Sequence, residues 1–440
     1  MIRLNQLKTP IFGFLATAAL VTSAAAATPE DVDKRFHPYK NGVPSAPGVT
    51  PGMTINKSNV GSVGDALDPQ LLEAVKAGEV EIKVGETTSF DLNKKYEEAT
   101  LKGLNQVKLG ATPGLIEGYV AGQPFPEELD ISDPRAGEKA AWNFKYGYNW
   151  GDNAQIGPFW WTFRDMKTAN VERVIKLEMH FLNFMHRVDG EPLPEVPDNP
   201  DKIFRAIYAQ VQEPLDVKDT QLLIYRYEDD LKRDDAWLYL GFQRRVRRLA
   251  TGQVTDSFLG ADLMIEDFEG YNGRISDYKW EYKGVKNILL PFYYHNDMPL
   301  TEQYKDSDGY KYIDFGGQGN CYPVITWQLR KAYEVWGSPI DPNHPISKRQ
   351  LYMDSQTFTI PRQVDYDRKG EIWKSFTIGQ AHSDHHLPIN KGAGVSLDDS
   401  FSVIDVQSRH CTTGQFRGII DPKLNPRTIF TVQNMRSTGN

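Results

Sequence analysis

The chain has 440 residues, a formal net charge of −8 and a mean hydropathy of −0.51. A chain of this length can bury a large core without disulfides or metal sites to stabilise it. Its acidic charge argues against nucleic acid or anionic lipid headgroups as partners, since these need clustered Lys and Arg. Its two cysteines, Cys321 and Cys411, exclude a zinc ribbon and a disulfide-built scaffold.

The first 27 residues have the three-part layout of a secretory signal. Arg3 and Lys8 give a basic start, residues 11–21 form an uncharged apolar run, and the alanines at 25–27 offer a cleavage site before Thr28. The run is too short for a membrane anchor, which needs roughly 20 apolar residues. Cleavage of this signal would remove Arg3 and Lys8 and take the formal charge of the chain from −8 to −10. We therefore expect export and a periplasmic location.

Residues 28–113 contain several prolines and few aromatic residues. We predict an extended N-terminal arm there, with one short helix over residues 68–77. Asp68 is a good N-cap residue, and Pro69 suits the first helical position. The remaining residues, 114–440, are predicted to form the main domain.

Alternation of apolar and polar residues becomes common after residue 118, as in strands that are covered on one face only. Two segments, 157–164 and 172–181, show it most clearly. The residues that share the apolar faces of these two segments are Phe159, Trp161, Phe163, Ile175, Leu177, Met179 and Phe181. Further segments with strand composition are 222–227, 236–242, 278–282 and 371–378.

Short turns separate these strands, for example at Asp308-Gly309 and at residues 367–370. We predict helices over residues 199–212 and 326–336. So many strands joined by short turns indicate a mainly β fold, built as a curved antiparallel sheet or half-open barrel with a few covering helices.

The most informative part of the chain is the block from residue 237 to residue 280. It contains residues 237–239, the arginine cluster at 244–248, and residues 266–268, 270–273 and 278–280. Together with residues 118–126, 133–137, 141–143 and 365–367, Gly370 and Trp373, this block resembles an uncharacterised family of Gram-negative envelope proteins, known as a domain of unknown function and related to the outer-membrane lipoprotein-sorting superfamily. The resemblance covers residues 118–440 and leaves out the arm. It implies a half-open barrel whose concave side takes lipid-like groups, partly lidded by helices, and a setting beside an envelope transporter.

An apolar strand face of this kind can be an ordinary core or a groove left open for a hydrophobic ligand. Core is the commoner outcome for any one residue, and the sequence leaves both interpretations open. The candidate ligand-binding residues are Phe159, Trp161, Phe163, Leu177, Met179, Trp237 and Tyr239.

The basic cluster at residues 244–248 has a structural and a functional interpretation. Its arginines can pair across strands with carboxylates such as Glu266 and Asp267, which is the interpretation we favour. Alternatively, arginine suits an anionic headgroup or a partner protein.

Three histidines, His382, His385 and His386, lie close together in the sequence. Imidazole and carboxylate groups can bind a transition metal, but this spacing matches no standard metalloenzyme pattern. A polar loop is the favoured interpretation, and we expect no metal and no other cofactor.

The leading functional hypothesis is a periplasmic carrier of a hydrophobic or lipid-like ligand, accessory to an envelope transporter and without enzymatic activity. The alternatives are a metal-dependent enzyme that uses residues 382–386, and a structural partner of outer-membrane proteins that docks through the arm. For Cys321 and Cys411, a disulfide and two buried free thiols are both open, and export favours the disulfide.

Overall fold

The computed structural model describes residues 26–250 and 255–439. The predicted signal, residues 1–27, falls outside the described residues except for its last two. No helix in the described ranges is long and apolar enough to cross a membrane. The α-helices are α1 (Pro29–Phe36), α2 (Pro69–Ala77), α3 (Lys94–Gly103), α4 (Ala136–Lys145) and α5 (Val432–Thr438).

Helix α2 is the helix predicted from the sequence, and its boundaries follow from its end residues. The Asp68 carboxylate accepts hydrogen bonds from the backbone N–H groups of Gln70 and Leu71. Pro69 occupies the first turn, and Gly78 ends the helix in the left-handed conformation, with φ +78°. The helix predicted over residues 68–77 is confirmed, but the prediction of a single helix in residues 28–113 is wrong, because α1 and α3 lie there as well.

Strands contain far more of the described residues than helices do. The strands before residue 250 are β1 (Thr54–Ile55), β2 (Ile82–Gly85), β3 (Lys108–Leu109), β4 (Ile116–Glu117), β5 (Asn153–Asp165), β6 (Val171–Asn183), β7 (Ile203–Glu213), β8 (Gln221–Tyr227), β9 (Asp235–Leu240) and β10 (Arg245–Arg248). The later strands are β11 (Tyr278–Leu290), β12 (Phe292–Tyr293), β13 (Leu300–Lys305), β14 (Lys311–Ile313), β15 (Phe315–Gly316), β16 (Tyr322–Pro323), β17 (Thr326–Pro339), β18 (Ile346–Asp354), β19 (Arg362–Asp367), β20 (Ile372–His382), β21 (Ser396–Asp405), β22 (His410–Gln415) and β23 (Gly418–Ile420).

One 17-stranded sheet dominates the described part of the chain. Its long strands follow the order β10-β9-β8-β7-β6-β5-β22-β21-β20-β19-β18-β17-β11, and all of these neighbours are antiparallel. Two short strands add parallel pairings, β2 to β17 and β12 to β20. The sheet is not closed into a barrel. The predicted mainly β fold, with a curved sheet and few helices, is confirmed.

The two helices predicted over residues 199–212 and 326–336 are wrong, because these residues form β7 and β17. Both strands are covered on both faces. In β7, for example, Tyr208 packs in one apolar cluster while Ile207 and Ala209 pack in the cluster on the opposite face. Burial on both faces removes the period-two alternation that identifies a strand.

The outer face of the sheet is covered in part by residues from 28–113. Side chains of α2, including Leu71 and Val75, pack with Trp327 and Leu329 of β17. Asp68 also forms an ion pair with buried Arg362 of β19, with Nε to Oδ2 at 2.8 Å.

A disulfide joins Cys321 and Cys411 within the same outer cluster, so of the two alternatives left open by the sequence the structure has the bridge. It links the segment before β17 to β22 across the sheet.

The inner face of the sheet is covered by residues 255–274, which we call the covering segment. It contains a 3-10 stretch at Ile265–Gly270, not the α-helices that the family resemblance implied for a lid. Its side chains Phe258, Leu263, Ile265 and Phe268 pack with the strands in one apolar cluster. This cluster contains the candidate site.

A lidded apolar cavity as the candidate binding site

A cavity lies between the covering segment and the inner face of the sheet. Its free space is about 60 Å³, which is room for a few water molecules but not for an acyl chain. The apolar lining residues are Ile156, Phe159, Trp161, Met179, Phe181, Leu263, Phe268, Phe376, Ile378, Phe401, Val403 and Phe416, and the polar ones are Asp267, Glu269 and Asp398.

A β-bulge in β5 brings both halves of that strand to the cavity. The pairing register between β5 and β6 shifts between Ile156 and Phe159. An extra residue in a strand changes which positions face inward, so Ile156 before the shift and Phe159 and Trp161 after it all point to the same side. The uninterrupted alternation of β6 places Met179 beside them.

Trp161 lies at the centre of the aromatic contacts around the cavity. Its ring meets those of Phe258, Phe268 and Phe401 edge-on, with centroids 5.8, 6.3 and 5.9 Å apart. Such edge-to-face pairs add about 0.5–1.5 kcal/mol each beyond the burial of area. The Trp161 indole N–H has no hydrogen-bond acceptor among the described residues.

Five of the seven predicted ligand-binding residues come together on the inner face. Phe159, Trp161 and Met179 line the cavity, while Phe163 and Leu177 belong to the apolar cluster around it.

Trp237 and Tyr239 lie on the other face of the sheet, so they do not contact the cavity. They pack in the cluster that includes Met435 of α5, and the Tyr239 hydroxyl donates to the carbonyl of Gly439. We therefore leave both out of the candidate site.

Sequence reasoning missed the residues of the covering segment and of β21. Phe401 and Val403 stand in a short alternating run, SFSVID, which was a usable signal. Phe258 and Phe268 stand in irregular sequence without periodicity, so no local pattern marks them.

The covering segment is held to the sheet at its centre by a buried arginine. Arg349 of β18 contacts Glu266 and Asp267 of the segment, with Nη2 2.7 Å from Asp267 Oδ1, and also donates to Asp365 at 2.8 Å. Burial would raise the pKa of Glu266, but Arg349 and His344 outweigh it and lower that pKa to about 2. Burial, reinforced by the charge of Asp267, raises the pKa of Asp365 to about 7 against the attraction of Arg349.

Two further ion pairs hold the segment on either side of this centre. Arg205 of β7 binds both carboxylate oxygens of Glu269, each at 3.0 Å. His410 of β22 contacts Asp262, with Nδ1 2.8 Å from Oδ2, and the Thr412 hydroxyl donates to the same carboxylate.

The arginine cluster at 244–248 does not hold the segment. The predicted pairing with Glu266 and Asp267 is wrong, because Arg349 occupies these carboxylates. The arginines lie exposed at and beside edge strand β10, where Arg248 pairs with Asp235.

The His410–Asp262 contact predicts a pH-dependent contribution to stability. Hydrogen bonding to Asp262 raises the pKa of His410 from 6.5 to about 9. The contribution is therefore complete below pH 6.5 and is lost as the pH rises through 9. We expect His410→Gln to lower the free energy of unfolding by about 1 kcal/mol or less at pH 6, and to have no effect at pH 10. Urea unfolding at both pH values measures this, and an equal loss at both would contradict it.

The three neighbouring histidines do not converge on one site. The His382 ring packs against Phe90, and exposed His385 stacks on Tyr294. His386 instead lies in a buried group with His295 and Asp399, whose ligand atoms are all within 4.8 Å of one another.

Hydrogen bonds define the protonation of His386. The Asn390 amide is oriented by the Ile420 N–H, which donates to its Oδ1 at 2.9 Å, so its Nδ2 donates to His386 Nδ1. The hydrogen of His386 is therefore on Nε2, which lies 3.3 Å from Asp399 Oδ1 and 3.0 Å from the Tyr310 hydroxyl. Burial lowers the pKa of His386, consistent with a neutral ring.

His295 carries both ring hydrogens. Its Nδ1 lies 2.8 Å from Asp399 Oδ2, and its Nε2 lies 3.1 Å from the carbonyl of Lys311. Burial alone would lower the pKa of His295, but Asp399 outweighs it and raises that pKa. The donor types fit a transition metal, yet a metal would have to displace the hydrogens that both histidines direct at Asp399. The cluster is therefore explained by a buried ion pair between His295 and Asp399, to which His386 adds a hydrogen bond.

The fold and the cavity define a class of protein in which an open, mainly antiparallel sheet surrounds an apolar cavity beneath an irregular covering segment. This chain belongs to the family described as "Protein of unknown function (DUF1329)", whose model matches residues 54–436. The predicted resemblance to an uncharacterised family is confirmed. The match begins earlier than residue 118 and includes most of the predicted arm.

Individual relatives are distant in sequence. An uncharacterized protein of Pseudomonas aeruginosa is 24% identical over 345 residues, which are 76% of this chain and 70% of the relative. A crystal structure of a DUF1329 family protein from Desulfovibrio piger covers 69% of this chain and all of its own, with 16% identity and a TM-score of 0.47. A crystal structure of a "putative outer membrane lipoprotein-sorting protein domain" from Vibrio parahaemolyticus has the same coverage and identity, with a TM-score of 0.46.

Proposed function

We propose that this protein is a periplasmic carrier that binds a hydrophobic ligand between the sheet and the covering segment. One observation carries the proposal. The aromatic inner face of the sheet is closed off by a segment that no strand pairing attaches to it in the described part of the chain.

The attachments of the covering segment suit an element that moves as a unit. Its hydrogen bonds from backbone to backbone run within the segment, as from Phe258 N–H to Leu263 and from Asn272 N–H to Glu266. Where its backbone bonds to the sheet, the partner is a side chain, as at Thr412 and Lys374. Its ties to the sheet are made by side chains such as Arg205, Arg349 and His410. Side-chain ties can break and re-form without loss of any strand ladder, so the sheet keeps its structure when the segment lifts.

A ligand would take the place of aromatic side chains of the segment. The free 60 Å³ is too small for a long chain, so the segment must move before one binds. Phe258 and Phe268 then give up their apolar contacts, and each ligand methylene buried in their place contributes about 0.8 kcal/mol. Without ligand, the same side chains shield the aromatic face from water.

The setting is part of the proposal. The signal-like residues 1–27 direct export, and an envelope transporter or outer-membrane protein would supply or receive the ligand. A protein that carries a ligand to or from such a partner has to bind and release it, and it needs no catalytic group.

Extraction of the purified native protein with organic solvent, followed by mass spectrometry, tests the proposal. We expect a hydrophobic compound in stoichiometric amount, absent from a mock purification. A protein that yields none, and that binds no added long-chain compound, would refute the carrier function.

Substitution of Phe268 tests the role of the covering segment. Phe268→Ala removes a ring that fills the cavity, so we expect stability to fall by about 3 kcal/mol. The affinity for the apolar dye N-phenyl-1-naphthylamine should rise about ten-fold, because less energy is needed to reach the open state. Dye titration by fluorescence measures this.

The matched control is Phe242→Ala, since Phe242 is 75% exposed and lies outside the cavity. It should change neither stability nor dye affinity. A folded Phe268→Ala variant with unchanged dye affinity would show that the segment does not limit access to the cavity.

A further inference from the structure

The charged side chains that line the cavity are all negative. All the charged residues that line it are acidic, namely Asp267, Glu269 and Asp398, and no Lys, Arg or His stands among the lining residues. Two of these carboxylates form ion pairs with arginines that do not line the cavity: Asp267 with Arg349, and Glu269 with Arg205.

Asp398 differs from the other two because no cation of the described residues forms an ion pair with it. Its Oδ1 accepts from Gln380 Nε2 at 2.7 Å, and Gln380 is held in that orientation because its own Oε1 accepts from Ser396 at 2.7 Å. The Trp150 indole is a second donor, and Arg205 acts on Asp398 only from a distance. Burial, together with the charge of Glu269, raises the pKa of Asp398 to about 7.

The indole of Trp161 is another polar group of the cavity lining. Trp161 is 2% exposed and lines the cavity, and its indole N–H has no acceptor among the described residues. A buried donor without an acceptor is destabilising, so a bound group with an oxygen acceptor would recover that free energy.

We propose that the ligand is an amphiphile whose polar group is uncharged and bears hydroxyls, and that Asp398 excludes anionic headgroups. This deepens the carrier function and rests on it. A hydroxyl donates to the Asp398 carboxylate and can accept from Trp161. A sulfate, phosphate or carboxylate only accepts, and in this low-dielectric site it meets the negative charge of Asp398, with no basic residue among the described residues that line the cavity.

Two probes with the same 14-carbon chain test the inference: monomyristin, which is neutral and has hydroxyls, and tetradecyl sulfate, whose charge does not change with pH. Displacement of N-phenyl-1-naphthylamine at pH 8, below the micellar range, gives both affinities. We expect monomyristin to bind at least about ten-fold more tightly than tetradecyl sulfate. Asp398→Asn should reduce this preference several-fold, and Asp201→Asn, at an exposed position, should leave it unchanged.

The wild-type protein gives a second measurement that needs no folded variant. The groups that face the cavity are Asp267, Glu269 and Asp398, with Arg205, Arg349 and Asp365 behind them. Protonation of Asp398 should bring the two affinities closer together at pH 6 than at pH 8. Equal affinities at pH 8, or a preference that neither pH nor Asp398→Asn changes, would overturn the inference and leave the carrier function standing. Failure of both probes to displace the dye would count against the carrier function itself.

Discussion

Arg349→Met should lower the free energy of unfolding by about 3–5 kcal/mol. The Arg349 side chain is fully buried and faces three carboxylates, those of Glu266, Asp267 and Asp365. Removal of the guanidinium leaves this negative charge in the interior without its main cation. Methionine has a similar length, so the loss reports charge more than lost volume. Urea unfolding at pH 7.5 measures the change.

Arg248→Met is the matched control. Arg248 pairs with Asp235 at the exposed edge of the sheet, where such pairs contribute about 0–1 kcal/mol. The loss in Arg349→Met should also shrink as the pH falls, because protonation of the three carboxylates removes their repulsion. An effect of Arg349→Met no larger than that of Arg248→Met would show that the buried network contributes little.

Loss of the disulfide should have an effect of similar size. Cys321 and Cys411 are both fully buried and 90 residues apart in the sequence. A cross-link that closes a loop of this length restricts the unfolded chain, by about 4–5 kcal/mol in the chain-entropy description. We expect the double variant Cys321→Ala, Cys411→Ala to lose stability by that amount, measured by urea unfolding.

A reducing agent provides the control for this prediction. It should bring the unfolding midpoint of the wild-type protein close to that of the double variant, and should not move the midpoint of the variant. Stability of the double variant within about 1 kcal/mol of wild type would show that the bridge restricts the unfolded chain much less than its span indicates.

The parts of the fold that could be predicted from sequence are those with a local cause. Strands β5 and β6 alternate because one face packs in the core. Asp68 and Pro69 define the start of α2, and Gly78 defines its end. Strands β7 and β17 were misassigned because both of their faces are covered, which leaves no alternation to detect.

The candidate site was predictable only on the sheet side. Phe159, Trp161 and Met179 were found by alternation, but alternation cannot tell which face of a sheet carries the cavity, so Trp237 and Tyr239 were grouped with them. Asp398 belongs to the site because the sheet brings β21 opposite the covering segment, about 130 residues earlier in the chain. No local pattern contains that information.

The sheet joins early and late parts of the chain, and this sets an order for its assembly. Strand β5 pairs with β22 and β23, β2 pairs with β17, and Asp68 reaches Arg362 across 294 positions. The first half of the polypeptide therefore cannot reach its final partners until the second half has been synthesised and delivered. Until then the leading portion would have its strand edges and aromatic side chains uncovered, a state that is prone to aggregation.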